Sequence, residues 1–148
     1  MKELSEKSVL IIGLGLIGGS IARALRSRGL CREILAYGRN AERLNVAKEQ
    51  GVIDDYSTDL ATISATADII IVAVPSLSFA AVFSTLADSI SEHTVITDAA
   101  SVKRSVVDEF EAVFPGSFRN FVPGHPIAGS ELSGFAASRQ DLFESRRV

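Results

Sequence analysis

Three glycines in the pattern Gly13-Leu14-Gly15-Leu16-Ile17-Gly18 stand directly after a short apolar run at 8–12. A continuous apolar run stopped by glycine suits a strand buried on both faces. Residues 16–27 then place Ile17, Ile21, Ala24 and Leu25 at helical spacing, with Gly29 as the stop. A strand, a glycine turn and a helix in immediate succession commit the chain to a βαβ unit whose first turn can receive a phosphate. The first glycine permits the tight turn, the second lets the backbone approach a pyrophosphate, and the third lets the helix pack on the strand. Free N–H groups at the helix start, at Leu16 and Ile17, then meet the anion.

The rest of the chain repeats the alternation. Residues 34–37 read as a second strand and 41–50 as a helix, with Asn40 as N-cap and Gly51 past the end. The run 69–74 is the cleanest strand, β-branched almost throughout and ended by Pro75. Helix is expected over 78–89, strand over 94–97, helix over 102–114 capped by Ser101, and strand over 118–122 before Pro123. Strands alternating with helices of about ten residues give a mostly parallel sheet. The expected fold is one doubly wound α/β domain of Rossmann type over 1–148, a length sufficient for a real core. Residues 140–148 approach what reads as a further strand, so the chain is expected to be truncated there, short of its natural end.

Bulk properties exclude several classes. A net charge of −3 argues against a nucleic-acid surface. The apolar stretch 9–22 is broken by four glycines and is too short to span a bilayer, so no membrane association is expected. Cys31 is the only cysteine, which excludes an intramolecular disulfide and fits a reducing cytoplasm. It reads as a small apolar residue near a strand start, and no metal is expected.

The nucleotide can be specified further. An NAD site usually places an acidic side chain about twenty residues beyond the motif, on the ribose 2′-hydroxyl. Here the second strand ends Gly38-Arg39-Asn40, with no carboxylate. Arg39 offers a permanently charged fork suited to a 2′-phosphate, so NADP is favoured and NAD remains possible. The candidate cofactor contacts are Gly13, Gly15, Leu16, Ile17, Gly18, Gly38, Arg39, Asn40, Val74 and Pro75.

Two further loops carry the chemistry. Asp98-Ala99-Ala100-Ser101-Val102-Lys103 and Gly124-His125-Pro126-Ile127-Ala128-Gly129-Ser130-Glu131 each follow a strand, placing them at the carboxyl edge of the sheet. Histidine is the residue type that can exchange protons near neutral pH, and His125 beside a dinucleotide points to an oxidoreductase. Read alone, Asp98 is structural and Lys103 a solvated helix residue.

These motifs resemble the prephenate and arogenate dehydrogenases of tyrosine biosynthesis. The resemblance rests on Gly-Leu-Ile-Gly-Gly-Ser at 15–20, Thr-Asp followed by Ser-Val-Lys at 97–103, His-Pro-Ile-Ala-Gly-Ser-Glu at 125–131 and Asp141-Leu142-Phe143. It implies NAD(P)-dependent oxidative decarboxylation of a cyclohexadienol. By the same resemblance His125 accepts the hydroxyl proton, Ser101 sits between nicotinamide, hydroxyl and histidine, and Glu131 lies near the mouth of the site. The substrate-binding candidates are therefore Ser101, His125 and Glu131. The family continues into a helical domain that dimerises and supplies cations for the substrate carboxylates, so a homodimer is expected of the whole enzyme. The fragment alone is expected to be inactive. The competing readings are another two-domain NADP dehydrogenase and a non-catalytic dinucleotide-binding module.

Overall fold

The computed structural model describes residues 3–116 and 118–148. Among these residues six strands form one wholly parallel sheet: β1 Ser8–Ile12, β2 Glu33–Tyr37, β3 Asp55–Ser57, β4 Ile69–Val72, β5 Val95–Asp98 and β6 Phe121–Val122, in the spatial order β3-β2-β1-β4-β5-β6. Strand order reverses between β1 and β4, and a ligand crevice of this fold opens at that switch point, outside the carboxyl ends of the strands. The five residues of β1 are all buried, as its unbroken apolar run requires of a central strand.

The helices lie on both faces. α1 Leu16–Arg28 and α2 Ala41–Glu49 cover one, where Val9, Ile11, Ala22, Ile34, Leu44 and Ala47 form a core. α3 Leu60–Ser64, α4 Phe79–Ala87 and α5 Lys103–Val113 cover the other. There Phe83 meets Phe79, Phe110, Phe114 and Phe121 edge to face, with centroids 5.3 to 6.5 Å apart. Each such pair adds about 0.5–1.5 kcal/mol beyond area burial.

Local signals end the helices where expected. Gly29 closes α1 at φ 59°, and Asn40 caps α2 by accepting the Arg43 N–H at 3.0 Å. Other expectations need correction. Residues 52–68, between the expected helix 41–50 and strand 69–74, hold β3 and α3, both too short to show a period in the sequence. The expected strand 118–122 is a 3₁₀ turn at Phe118–Asn120 followed by two strand residues. Residues 140–148 form turns rather than a strand, and the Ile127 N–H reaches the Arg147 carbonyl at 2.9 Å.

Ser101 does not cap α5. Val102 occupies that position and the helix starts at Lys103, with no side-chain cap. The reason lies three residues upstream of Ser101, where the Asp98 carboxylate draws in the Ala100 N–H at 2.9 Å and leaves Ser101 outside the helix.

Candidate active site

The glycine turn between β1 and α1 meets the three requirements read from its spacing. Gly13 has φ 93°, and a Cβ there would lie 2.6 Å from the Ala73 carbonyl oxygen and 2.8 Å from Val74 Cγ1. A Cβ on Gly18 would lie 2.0 Å from the Gly13 carbonyl oxygen, so α1 approaches β1 as closely as only glycine allows. Around Gly15 nothing among the described residues, its chain neighbours aside, lies within 4 Å of the same position. The middle glycine thus faces open space at the start of a 13-residue helix, where the first N–H groups lack intrahelical partners. The turn fits the pyrophosphate of a dinucleotide.

Gly13 also donates its N–H to the Tyr37 carbonyl at 3.0 Å, tying the turn to the end of β2 and hence to Gly38, Arg39 and Asn40. Arg39 is exposed, with no ion-pair partner among the described residues. Asn40 has committed its side-chain oxygen to the α2 cap, leaving its amide NH₂ for other contacts. Val74 and Pro75 follow β4 across the switch point, with Val74 against Gly13.

At the same edge β5 and β6 bring in the second group. Their last ladder pair is Thr97 with Val122. Beyond it side chains continue the connection: the fully buried Asp98 carboxylate accepts the Ala100 N–H through Oδ2 at 2.9 Å and the Gly124 N–H through Oδ1 at 3.1 Å. Ala100 immediately precedes Ser101, and Gly124 immediately precedes His125. Lys103 pairs with Asp98 and donates to the Gly124 carbonyl, so it is not the solvated helix residue expected from sequence. The His125 side chain is half-buried and has no hydrogen-bond partner among the described residues. Ser101 and Glu131 are exposed, Glu131 further along the histidine loop.

A cavity of about 200 Å³ lies behind these loops, walled by Ile71, Thr97, Asp98, Gly124, Pro126 and Phe143 among others, with His125 outside its wall. Pockets for small ligands run from about 300 to 1,000 Å³. A larger cleft of about 410 Å³ lies between α1 and residues 138–140. Its arginines are already engaged: Arg23 with Ser138 and Gln50, Arg26 with Asp54, and Arg139 with Asp141.

Sequence reasoning missed one supporting arrangement. The chain after the histidine loop crosses α1 at Gly19 and Ser20. A Cβ on Gly19 would come within 2.9 Å of Phe135 and Ser138, the Ser20 hydroxyl accepts the Arg139 N–H at 2.9 Å, and Arg23 lies over the Phe135 ring at 4.7 Å. The only hint was a second glycine beside Gly18.

Comparison with known proteins agrees with this architecture. Residues 21–148 match the family model described as "Prephenate dehydrogenase, nucleotide-binding domain". Prephenate dehydrogenase of Bacillus subtilis (strain 168) is 39% identical over 146 residues, covering 98% of this chain and 39% of that enzyme. The crystal structure of prephenate dehydrogenase from A. aeolicus with hydroxyphenyl propionate and NAD+ superposes with a TM-score of 0.88 at 36% identity, covering 98% of this chain and 50% of that one. Synechocystis arogenate dehydrogenase gives 0.84 at 29% identity, over 94% and 48%. The chain thus spans half or less of the length of these relatives. Fold, glycine turn and family match agree: the chain belongs to the prephenate dehydrogenase family and corresponds to its nucleotide-binding domain.

Proposed function

We propose that this chain is the cofactor-binding half of an NADP-preferring dehydrogenase that oxidatively decarboxylates prephenate or arogenate, with His125 as the base. One observation carries the reading: a half-buried histidine with no hydrogen-bond partner among the described residues, on a loop pinned to the Ser101 loop at the dinucleotide edge of the sheet. A non-catalytic binding module has no use for that constellation.

The chemistry supplied by a bound nicotinamide is hydride acceptance from the ring carbon that bears the hydroxyl. The chain's residues do the rest. Gly15 and the N–H groups of Leu16 and Ile17 hold the pyrophosphate, in a turn that Gly13 and Gly18 shape. Arg39 pairs with a 2′-phosphate, Gly38 and Asn40 flank the ribose, and Val74 and Pro75 border the crevice. Neutral His125 takes the hydroxyl proton while the hydride departs, giving a ring carbonyl. The C–C bond pair released with carbon dioxide then makes the ring aromatic, and the resulting phenolate oxygen takes the proton back from His125. Ser101 hydrogen-bonds the substrate hydroxyl, and Glu131 stands near the mouth of the site. Prephenate and arogenate differ in a side-chain keto or amino group.

Cover for the site comes from a second domain. The local cavity is below ligand size, and the same edge exposes Leu77 to 97%, Leu132 to 68% and Ile127 to 60%. Apolar side chains so placed suit a partner surface.

In the complete enzyme, His125→Asn is expected to keep NADPH affinity and thermal stability while lowering kcat at least about 10²-fold, the low end for general acid–base catalysis. The acidic limb of the pH–rate profile should vanish with it, because imidazolium cannot accept a proton. Near-normal turnover of this variant would exclude His125 as the base.

A further inference from the structure

We propose that Asp98 and Lys103 form a clamp that sets the spacing between Ser101 and His125, acting as positioning residues rather than through contact with the reacting atoms. The clamp begins where the sheet stops. After the Thr97–Val122 pair, the Thr97 hydroxyl donates to the Val122 carbonyl at 2.7 Å, and no further backbone ladder joins β5 to β6 among the described residues. The next connection is the Asp98 carboxylate, whose side chain is 0% exposed. One oxygen takes the N–H of the residue before Ser101 and the other takes the N–H of the residue before His125.

Lys103 completes the arrangement from the first turn of α5. Its ammonium pairs with Asp98 Oδ2 and donates to the Gly124 carbonyl, so both backbone polar groups of Gly124 are held by one ion pair. Gly124 must be small for this: a Cβ there would lie 2.6 Å from the Asp98 carbonyl oxygen and 3.2 Å from Thr97 Oγ1. Two loops that share no backbone ladder are thereby fixed through one buried carboxylate. Proton transfer depends on heavy atoms within hydrogen-bond reach, and a displacement near 1 Å can cost about 10²-fold in rate.

The charge balance supplies a way to separate positioning from stability. Removing Lys103 alone leaves a buried carboxylate without its cation, which is strongly destabilising; removing both charges is far milder. If the pair only stabilises the fold, activity should therefore recover in the double variant along with stability. If it positions the loops, activity should stay low.

The test uses Lys103→Met, Asp98→Asn and the double variant. In the complete enzyme each is expected to lower kcat by about ten- to a hundredfold. Cofactor affinity should change less than twofold, since the glycine turn is untouched. The double variant should regain thermal stability relative to Lys103→Met without regaining kcat. A direct substrate contact by Lys103 would instead raise KM in Lys103→Met and leave Asp98→Asn near normal, which would overturn the proposal. Recovery of kcat with stability would overturn it too.

The kinetic arm rests on the dehydrogenase reading, so a second arm does not. In the 148-residue chain the Gly124 amide should be protected from hydrogen exchange, and the double variant should exchange it at least tenfold faster while Ile70 in β4 is unchanged. Unaltered Gly124 exchange would refute the clamp. Absence of turnover in the unmodified enzyme counts against the dehydrogenase reading alone, and the exchange result then decides the clamp.

Discussion

Glycine does opposite work at positions 15 and 18. A methyl group on Gly15 would have no atom within 4 Å among the described residues beyond its chain neighbours, whereas one on Gly18 would strike the Gly13 carbonyl oxygen. Gly15→Ala is therefore expected to leave the melting temperature nearly unchanged and to weaken NADPH binding roughly tenfold or more, because it fills the space a pyrophosphate needs. Gly18→Ala is expected to destabilise the domain by about 3 kcal/mol or more, at the upper end for overpacking. Thermal melts and cofactor titrations of the two variants check both statements, and similar behaviour in the two would contradict the division of roles. That division was legible in the sequence because motif spacing dictates backbone geometry. The Asp98–Lys103 pair was not. Its partners lie on Gly124, more than twenty residues from Lys103, and only the folded sheet edge brings them together.

At the scale of elements, the long strands and helices with a clear period were readable, and the ones that failed were too short to show one, even where a cap such as Asp59 before α3 was present. β1 is an unbroken buried run, and α2 has both an N-cap at Asn40 and a left-handed Gly51 beyond its end. β3 and α3 are three and five residues long and owe their form to packing against β2 and α4. The crossing of α1 by residues 135–139 was hidden for the same reason, since it depends on a fit between distant surfaces. Asn40→Ala should cost about 1 kcal/mol in chemical denaturation through loss of the α2 cap. Gly19→Ala should act elsewhere, pushing against Phe135 and Ser138. Faster hydrogen exchange is expected across residues 135–148, with β1 and β4 unaffected. Exchange unchanged in that segment would show that the crossing does not depend on the close approach at Gly19.

For the molecule as a whole, the nucleotide crevice and the chemical loops differ in completeness. The glycine turn, the end of β2 and the switch point all lie within the 148 residues and are bound together by backbone contacts. The apolar edge around His125 and its small cavity are open, and the relatives matched here are at least about twice as long. Cofactor binding should accordingly need nothing more than this chain, while turnover of prephenate or arogenate should be negligible without further cover, given how much barrier reduction rests on positioning. The most direct measurement is a calorimetric titration of the 148-residue chain with NADPH and with NADH. Saturable binding of both is expected, with NADPH tighter and the gap narrowed by about 1–3 kcal/mol in Arg39→Ala, as for a charged hydrogen bond. Failure to bind either nucleotide, or NADH binding at least as tightly as NADPH, would contradict the account.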